Sequence, residues 1–318
     1  MSGSAVNNDD LQQQLTIQLL KTLAPQEGYN LTALPEVRIL RSDRPLARTP
    51  VLYDPGIVIV CQGSKRGFFG DKVYLYDEQH YLAVAVPVPF TMETVASAEH
   101  PLLAIYLHLD FNLATELMLQ LERQDVAVEV QAAQSMMSSP MDATLRDVVL
   151  RFLQALLHPL DANMLGPSLM REIYYRVLTG AQGSAMRSAL ALQGQFGKVG
   201  KALSHIHAQY AQSLTLGALA SLAGMSVPTF HTHFKSITQQ SPMQYVKSVR
   251  LHQARMLMVR QEMTAAAASH AVGYESPSQF NREFKRLFGL PPAEEIKRMQ
   301  RNFAVPPTRQ ASQFVSSH

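Results

Sequence analysis

Two stretches of the chain follow one plan, and that duplication constrains the fold more than any other feature. The first runs LGALASLAGMS and then VPTFHTHFKSITQQSP over 216–242; the second runs MTAAAASHAVGYE and then SPSQFNREFKRLFGLPP over 263–292. Each reads as a small-residue helix, a turn holding a glycine (Gly224, Gly273), and a second helix with Phe-Lys near its end (Phe234-Lys235, Phe284-Lys285). A short helix, a tight turn and a second helix make a helix-turn-helix unit, whose second helix fits the major groove of DNA.

The spacing has physical causes. Ala218, Leu219, Leu222 and Ala223 recur at helical intervals, so the first helix packs closely on the second. Gly224 supplies the left-handed backbone that ends that helix without a Cβ clash. Ser226 caps the next helix and Pro228 suits its first turn; Ser276 and Pro277 repeat the pair. Phe230 and Phe234, four apart, form a buried face, as do Phe280, Phe284 and Leu287 or Phe288. That turns Thr229, His231, Thr232 and Lys235 outward in the first unit, and Ser278, Gln279, Arg282, Lys285 and Arg286 in the second.

Charge divides along the same line. Residues 1–190 carry 14 Lys+Arg against 20 Asp+Glu, and residues 191–318 carry 14 against 5, giving balances of −6 and +9 within the net +3. A basic half that coincides with the two repeats points to a polyanion as its partner. With 47% hydrophobic and 17% charged residues over 318, the chain is expected to fold into two domains. It has no apolar run long enough for a bilayer, and MSGSAVNNDD lacks the basic start and apolar core of a signal peptide. The single cysteine, Cys61, excludes an intramolecular disulfide and suits a reducing cytoplasm.

The acidic half reads differently. DLQQQLTIQLLKTLA (10–24) is an amphipathic helix stopped by Pro25 and Gly28. From 36 to 109 come short β-rich runs: VRILRS, GIVIVCQG, KVYLYD, HYLAVAVP, TMETVA and LLAIYLHLD. Asp-Pro-Gly (54–56), Gly-Ser-Lys-Arg-Gly (63–67), Gly-Asp (70–71), Pro87, Pro89 and Pro101 separate them as turns. Strands with turn signals at this density indicate a sandwich or a small barrel, whose hollow is filled by side chains or by one small ligand. Cys61, Gln62, Lys65 and His80 are the candidate ligand contacts. Nearby Lys65 and Arg66 favour a reactive thiolate at Cys61, while its apolar strand favours a buried small hydrophobe. His80, His100 and His108 stand apart with no His-x-His pair, so no metal or other cofactor is expected.

Helices follow over 111–124, 142–157 and 167–180, the last started by Pro167 and stopped by Gly180. They pack on the barrel or form a homodimer seam. A Gly/Ser/Ala/Gln-rich stretch, 181–197, is the expected linker between a domain at 1–180 and a DNA-binding domain at 198–303. There 197–212 is a packing helix, and Ser241-Pro242 starts a long helix over 242–259 that fixes the distance between the two units. On it Lys247, Arg250 and Arg255 are placed to reach phosphates. Such a spacer lets the two recognition helices enter successive grooves about 34 Å apart. Pro291-Pro292 begins a last helix, and 304–318 is expected to be a disordered tail.

The repeats resemble the paired helix-turn-helix domain of the AraC/XylS family of bacterial transcription regulators. The second carries Gly273-Tyr274, Ser276, Ser278, Phe280, Arg282, Phe284-Lys285, Gly289 and Pro292. The first matches at Leu219-Ala220, Ala223 to Ser226, Phe234-Lys235 and Ser241-Pro242. It departs at Thr232, where the family usually has an arginine that touches DNA, and at Gln239, where a glycine is usual. TPVLYDPGIVIVCQGSKRG (49–67) and YDEQHYLAVAVPVPF (76–90) resemble the cupin-like N-terminal domain of one branch.

The resemblance implies an α+β chain of two domains: a cupin-like β-barrel with flanking helices, then an all-α domain with two helix-turn-helix units. It implies a cytoplasmic, non-enzymatic, sequence-specific regulator whose partners are double-stranded promoter DNA, RNA polymerase, a small-molecule effector and a second copy of itself. DNA contacts are expected from Thr229, His231, Thr232, Lys235, Lys247, Ser276, Ser278, Gln279, Arg282, Lys285 and Arg286. Arg282 suits a guanine edge and Gln279 an adenine edge. The competing reading is a cupin metalloenzyme with an accessory helical domain.

Overall fold

The computed structural model describes residues 8–124, 132–191 and 195–302, so the tail expected at 304–318 lies outside the described residues. Helix α1 (Asn8–Leu23) leads into β1 (Gly28–Leu31), β2 (Val37–Ser42), β3 (Leu46–Tyr53), β4 (Gly56–Gln62), β5 (Ser64–Phe69), β6 (Lys72–Asp77), β7 (His80–Val84), β8 (Val88–Val95) and β9 (Leu102–His108). Then come α2 (Phe111–Arg123), β10 (Met136–Pro140), α3 (Ala143–Leu156), α4 (Pro159–Thr179) and α5 (Gly183–Leu190). The basic half is helical: α6 (Gln195–Gln209), α7 (Leu216–Leu222), α8 (Val227–Thr238), α9 (Pro242–Arg260), α10 (Ala265–Ala271), α11 (Pro277–Phe288) and α12 (Pro292–Asn302).

The strands form one antiparallel sheet in the order β1-β2-β9-β4-β7-β6-β5-β8-β3, with β10 also on β7. Both faces are covered, and strict alternation decides which face each residue serves. Ile57, Ile59, Cys61, Leu103, Ile105 and Leu107 join α1, α3, α4 and α5 in one apolar cluster. Their neighbours Val58, Val60, Leu102, Ala104 and Tyr106 join Tyr53, Tyr76, Phe90 and Met92 in a second. That second cluster does not stop at the sheet. It runs on into Val199, Leu203 and Ile206 of α6, Phe230 and Phe234 of α8, and Tyr245 and Val249 of α9. The first helix-turn-helix unit therefore shares a core with the sheet, whereas Phe280, Phe284 and Phe288 of α11 sit in a separate core with Leu251, Met258 and Tyr274.

Three local expectations change. Gly-Ser-Lys-Arg-Gly is not all turn: only Gly63 turns (φ 79°), and Ser64–Phe69 is a strand with Lys65 and Phe69 buried on alternate positions. The helix placed at Pro167 begins at Pro159, so Pro167 lies inside α4 and His158 is its N-cap. The stretch read as linker contains α5, whose Ala185, Met186, Ala189 and Leu190 are buried against the N-terminal half.

Candidate nucleic-acid interface

Each helix-turn-helix unit is built by the same local devices. Thr215 and Thr264 cap α7 and α10 by accepting from Ala218 N and Ala267 N, both at 3.2 Å. Gly224 (φ 61°) and Gly273 (φ 85°) then take the left-handed conformation that ends these helices. At Gly273 a Cβ would lie 2.4 Å from the Ala211 carbonyl oxygen, so glycine is required for close approach as well as for φ. Ser226 and Ser276 cap α8 and α11 through Thr229 N (3.4 Å) and Gln279 N (3.3 Å). Phe230 meets Phe234 at 5.3 Å between ring centres, and Phe280 meets Phe284 at 5.4 Å; all four rings are fully buried.

With the phenylalanines inward, the opposite face of each second helix is exposed. Thr229, His231, Thr232 and Lys235 of α8 are exposed, as are Ser278, Gln279, Arg282, Lys285 and Arg286 of α11. Gln239 holds the left-handed C-cap of α8 (φ 57°) that Gly289 holds for α11 (φ 82°). Its side chain donates to the Ser236 carbonyl (3.1 Å) and lies beside Gly70 of the sheet domain.

Other expected contacts are already engaged. Ser276 is half-buried in its capping role. Lys247 pairs with Glu283 at 2.8 Å, and Glu283 also accepts from Tyr274 Oη (2.8 Å) and Gln279 Nε2 (3.2 Å). Arg250 donates to three backbone carbonyls, those of Tyr210, Gln212 and Gly273. Arg255 is fully buried: it pairs with Glu295 (3.2 Å), donates to Pro50 O of β3 (3.2 Å) and stacks over Phe288 (4.2 Å). Arg250 and Arg255 are thus structural cations, not phosphate contacts in this arrangement.

The basic half is held against the sheet by direct polar bonds. Tyr245 Oη donates to Pro87 O (2.9 Å) and lies 2.7 Å from His207 Nε2, and Ser135 Oγ donates to Ile237 O at the end of α8 (2.6 Å). Burial pushes His207 down to about 3.

The four candidate ligand contacts are not brought together. Lys65 alone among them reaches the inner core, with Nζ 3.2 Å from Tyr53 Oη, which lies 3.4 Å from Tyr76 Oη. Burial pushes the Lys65 amine down to about 7. Cys61 faces the helices on the other side of the sheet, and burial pushes its thiol up to about 12. Gln62 donates to Pro101 O (2.8 Å), and His80 sits 3.0 Å from Asp77. His100 and His108 lie elsewhere, His108 Nε2 being 3.4 Å from Asp54; among the described residues no group of three or more His, Cys, Asp or Glu is placed to hold a metal. Arg38, Asp54 and Tyr106 are buried as well, and no motif in the sequence marks them. The Tyr-x-Tyr alternation at 74–76 is the available sign of a polar interior; Asp54 reads as turn.

Known proteins show the same organisation. The AraC-type transcriptional regulator N-terminus profile matches residues 33–185, and a helix-turn-helix domain profile matches 219–298. A putative AraC-like transcription regulator of Streptomyces lividans is 34% identical over 99 residues, 31% of this chain and 33% of that protein. The HTH-type transcriptional regulator AlkR of Acinetobacter baylyi is 33% identical over 95 residues, 30% of this chain and 31% of that protein. The chain thus spans about a third of the length of the curated relatives it matches. In fold it is similar to unsaturated fatty acid-bound ToxT from Vibrio cholerae, with a TM-score of 0.55 at 10% identity over 82% of this chain and 93% of that one. With both halves matched in the order the fold displays, the chain belongs to the AraC-type transcriptional regulators.

Proposed function

We propose that the chain is a sequence-specific DNA-binding transcription regulator, with a sensing domain at 1–180 that α5 extends and a DNA-binding domain at 198–303 that α6 opens. The observation that carries this is the pair of exposed polar helix faces, α8 and α11, each fixed from behind by buried phenylalanines. Lys235, Lys285 and Arg286 neutralise phosphates and give sequence-blind, salt-dependent affinity. Arg282 and Gln279 read guanine and adenine edges, each contributing about 1–3 kcal/mol of discrimination. Thr229, His231, Thr232 and Ser278 complete the two faces, while Ser276 and Lys247 act by shaping α11 and its pairing with α9. RNA polymerase and a second copy of the chain belong to the same reading, which assigns the protein no reaction and places its work in the cytoplasm.

A small molecule acts from the sheet domain. Its contacts are Lys65 and the Tyr53–Tyr76 pair, a buried polar set on the face that continues into the first helix-turn-helix unit. A ligand with an acidic group would hold the Lys65 amine charged. The shared apolar core and two polar bonds, Tyr245 to Pro87 O and Ser135 to Ile237 O, join the sheet domain to α8 and α9.

The test is binding of the chain to the DNA upstream of its own gene, against random DNA. Arg282→Ala is expected to lower specific affinity roughly 5- to 100-fold with little effect on random DNA, since it reads bases. Lys285→Ala is expected to weaken both and to lower the salt slope by about 1. If both variants bind both DNAs as the parent does, the assignment is wrong.

A further inference from the structure

A cleft of about 360 Å³ separates the two helix-turn-helix units, between the end of α8, the face of α9 around Ser248, and α11. We propose that it binds a small hydroxylated organic anion, of the hydroxycarboxylate or sugar-acid class. Its volume lies in the range of small-molecule sites, about 300–1,000 Å³.

Ser248 and Gln240 line the cleft, and each carries a buried polar atom with no hydrogen-bond partner among the described residues. Ser248 is 5% exposed, and its hydroxyl makes no hydrogen bond among the described residues. A serine inside a helix commonly bonds back to the carbonyl four residues earlier; this one does not. Gln240 Oε1 is likewise buried and unpaired. Nearly all such groups in folded proteins are satisfied, so a pair lining one cleft calls for an occupant.

Charge narrows the choice. Lys247 is committed to Glu283, which also holds Tyr274 and Gln279, so these two charges answer each other. The charge left on the cleft is Arg286, which is exposed and has no ion pair among the described residues. A planar carboxylate suits its guanidinium through two parallel bonds. The Ser248 hydroxyl can donate to the same ligand, whereas Gln240 Oε1 needs an O–H or N–H donor in return. Leu251 and Leu287 offer a short apolar wall to the carbon skeleton. A plain dianion leaves Gln240 unanswered, and a neutral sugar leaves Arg286 unanswered. Only a molecule with both groups satisfies the set.

This site is separate from the Lys65 face, and its occupancy does not depend on the DNA-binding reading. Its consequence does: a ligand on Arg286 removes a cation from the DNA-facing side of α11, so ligand and DNA weaken each other reciprocally.

The test is calorimetric titration of the full chain with L-malate and D-gluconate, with succinate (charge without hydroxyl) and glucose (hydroxyl without charge) as comparators. We expect saturable binding of malate or gluconate, weakened roughly tenfold or more in Ser248→Ala and in Arg286→Gln, and unchanged in Lys65→Met. Circular dichroism of each variant matching the parent confirms that the fold is kept. The proposal is overturned if neither probe binds by about 10 mM. It is also overturned if succinate or glucose binds as well as they do, if Lys65→Met abolishes binding, or if Ser248→Ala and Arg286→Gln both bind as the parent does.

Discussion

Replacing Arg255 by methionine tests the claim that this residue holds the basic half together rather than touching DNA. Arg255 is fully buried, donates to Glu295 and Pro50 O at 3.2 Å each, and stacks on Phe288. Methionine keeps much of the volume and removes the charge. Breaking a buried ion pair from one side costs about 3–5 kcal/mol, because the partner stays buried and charged. Here Arg298, at 2.7 Å from Glu295 and partly exposed, survives and moves the cost towards the lower end. The stranded Pro50 carbonyl adds about 1 kcal/mol, so the expected loss is about 3–4 kcal/mol in a total of about 5–15. Arg255→Met/Glu295→Leu removes both fully buried charges, leaves the partly exposed Arg298 to turn to water, and is expected to recover most of that loss, since hydrophobic replacement of a buried pair is often neutral. Urea unfolding followed by tyrosine fluorescence and by far-ultraviolet circular dichroism measures both variants, provided the two probes coincide. A single-variant loss below about 1 kcal/mol, or a double variant no better than the single, refutes the reasoning.

Two further outcomes follow from burial. Cys61 is 6% exposed with its thiol pushed up to about 12, so iodoacetamide at pH 8 should label the unfolded chain and leave the folded chain nearly untouched; rapid labelling of the folded chain contradicts this. Burial holds His207 at about 3 and His108 at about 4, both below the ordinary 6.5, so between those values the unfolded state binds more protons. Stability should therefore be full above about pH 6.5 and fall as pH drops towards 4 and then 3. His207→Gln should flatten that slope when unfolding midpoints are measured against pH, and an unchanged slope would sink the assignment.

Much of the helix-turn-helix geometry was legible because it is local. Caps, left-handed glycines and i,i+4 phenylalanines are decided within a dozen residues, and Ser226, Ser276, Gly224 and Gly273 do what their positions imply. Most strands were legible for the same reason, through runs of Val, Ile and Tyr. What alternation and helical period do not carry is a second covering layer. Lys65 reads as part of a polar turn until the strand pairing puts its Nζ beside Tyr53. Arg250 and Arg255 read as outward cations on a linking helix, yet α9 is covered by both helix-turn-helix units and by the sheet, so they turn to carbonyls and Glu295 instead. Likewise, nothing in the repeats themselves reveals that the first shares its core with the sheet while the second has its own.

The central claim is that two recognition faces on one chain grip adjacent turns of one duplex. Hydroxyl-radical footprinting on the bound upstream DNA measures this directly. The account predicts two protected patches on the same face of the helix, about 10 base pairs apart, with Arg282→Ala erasing the patch under α11 and leaving the one under α8. A single protected patch, or two patches that both persist with Arg282→Ala, would contradict it.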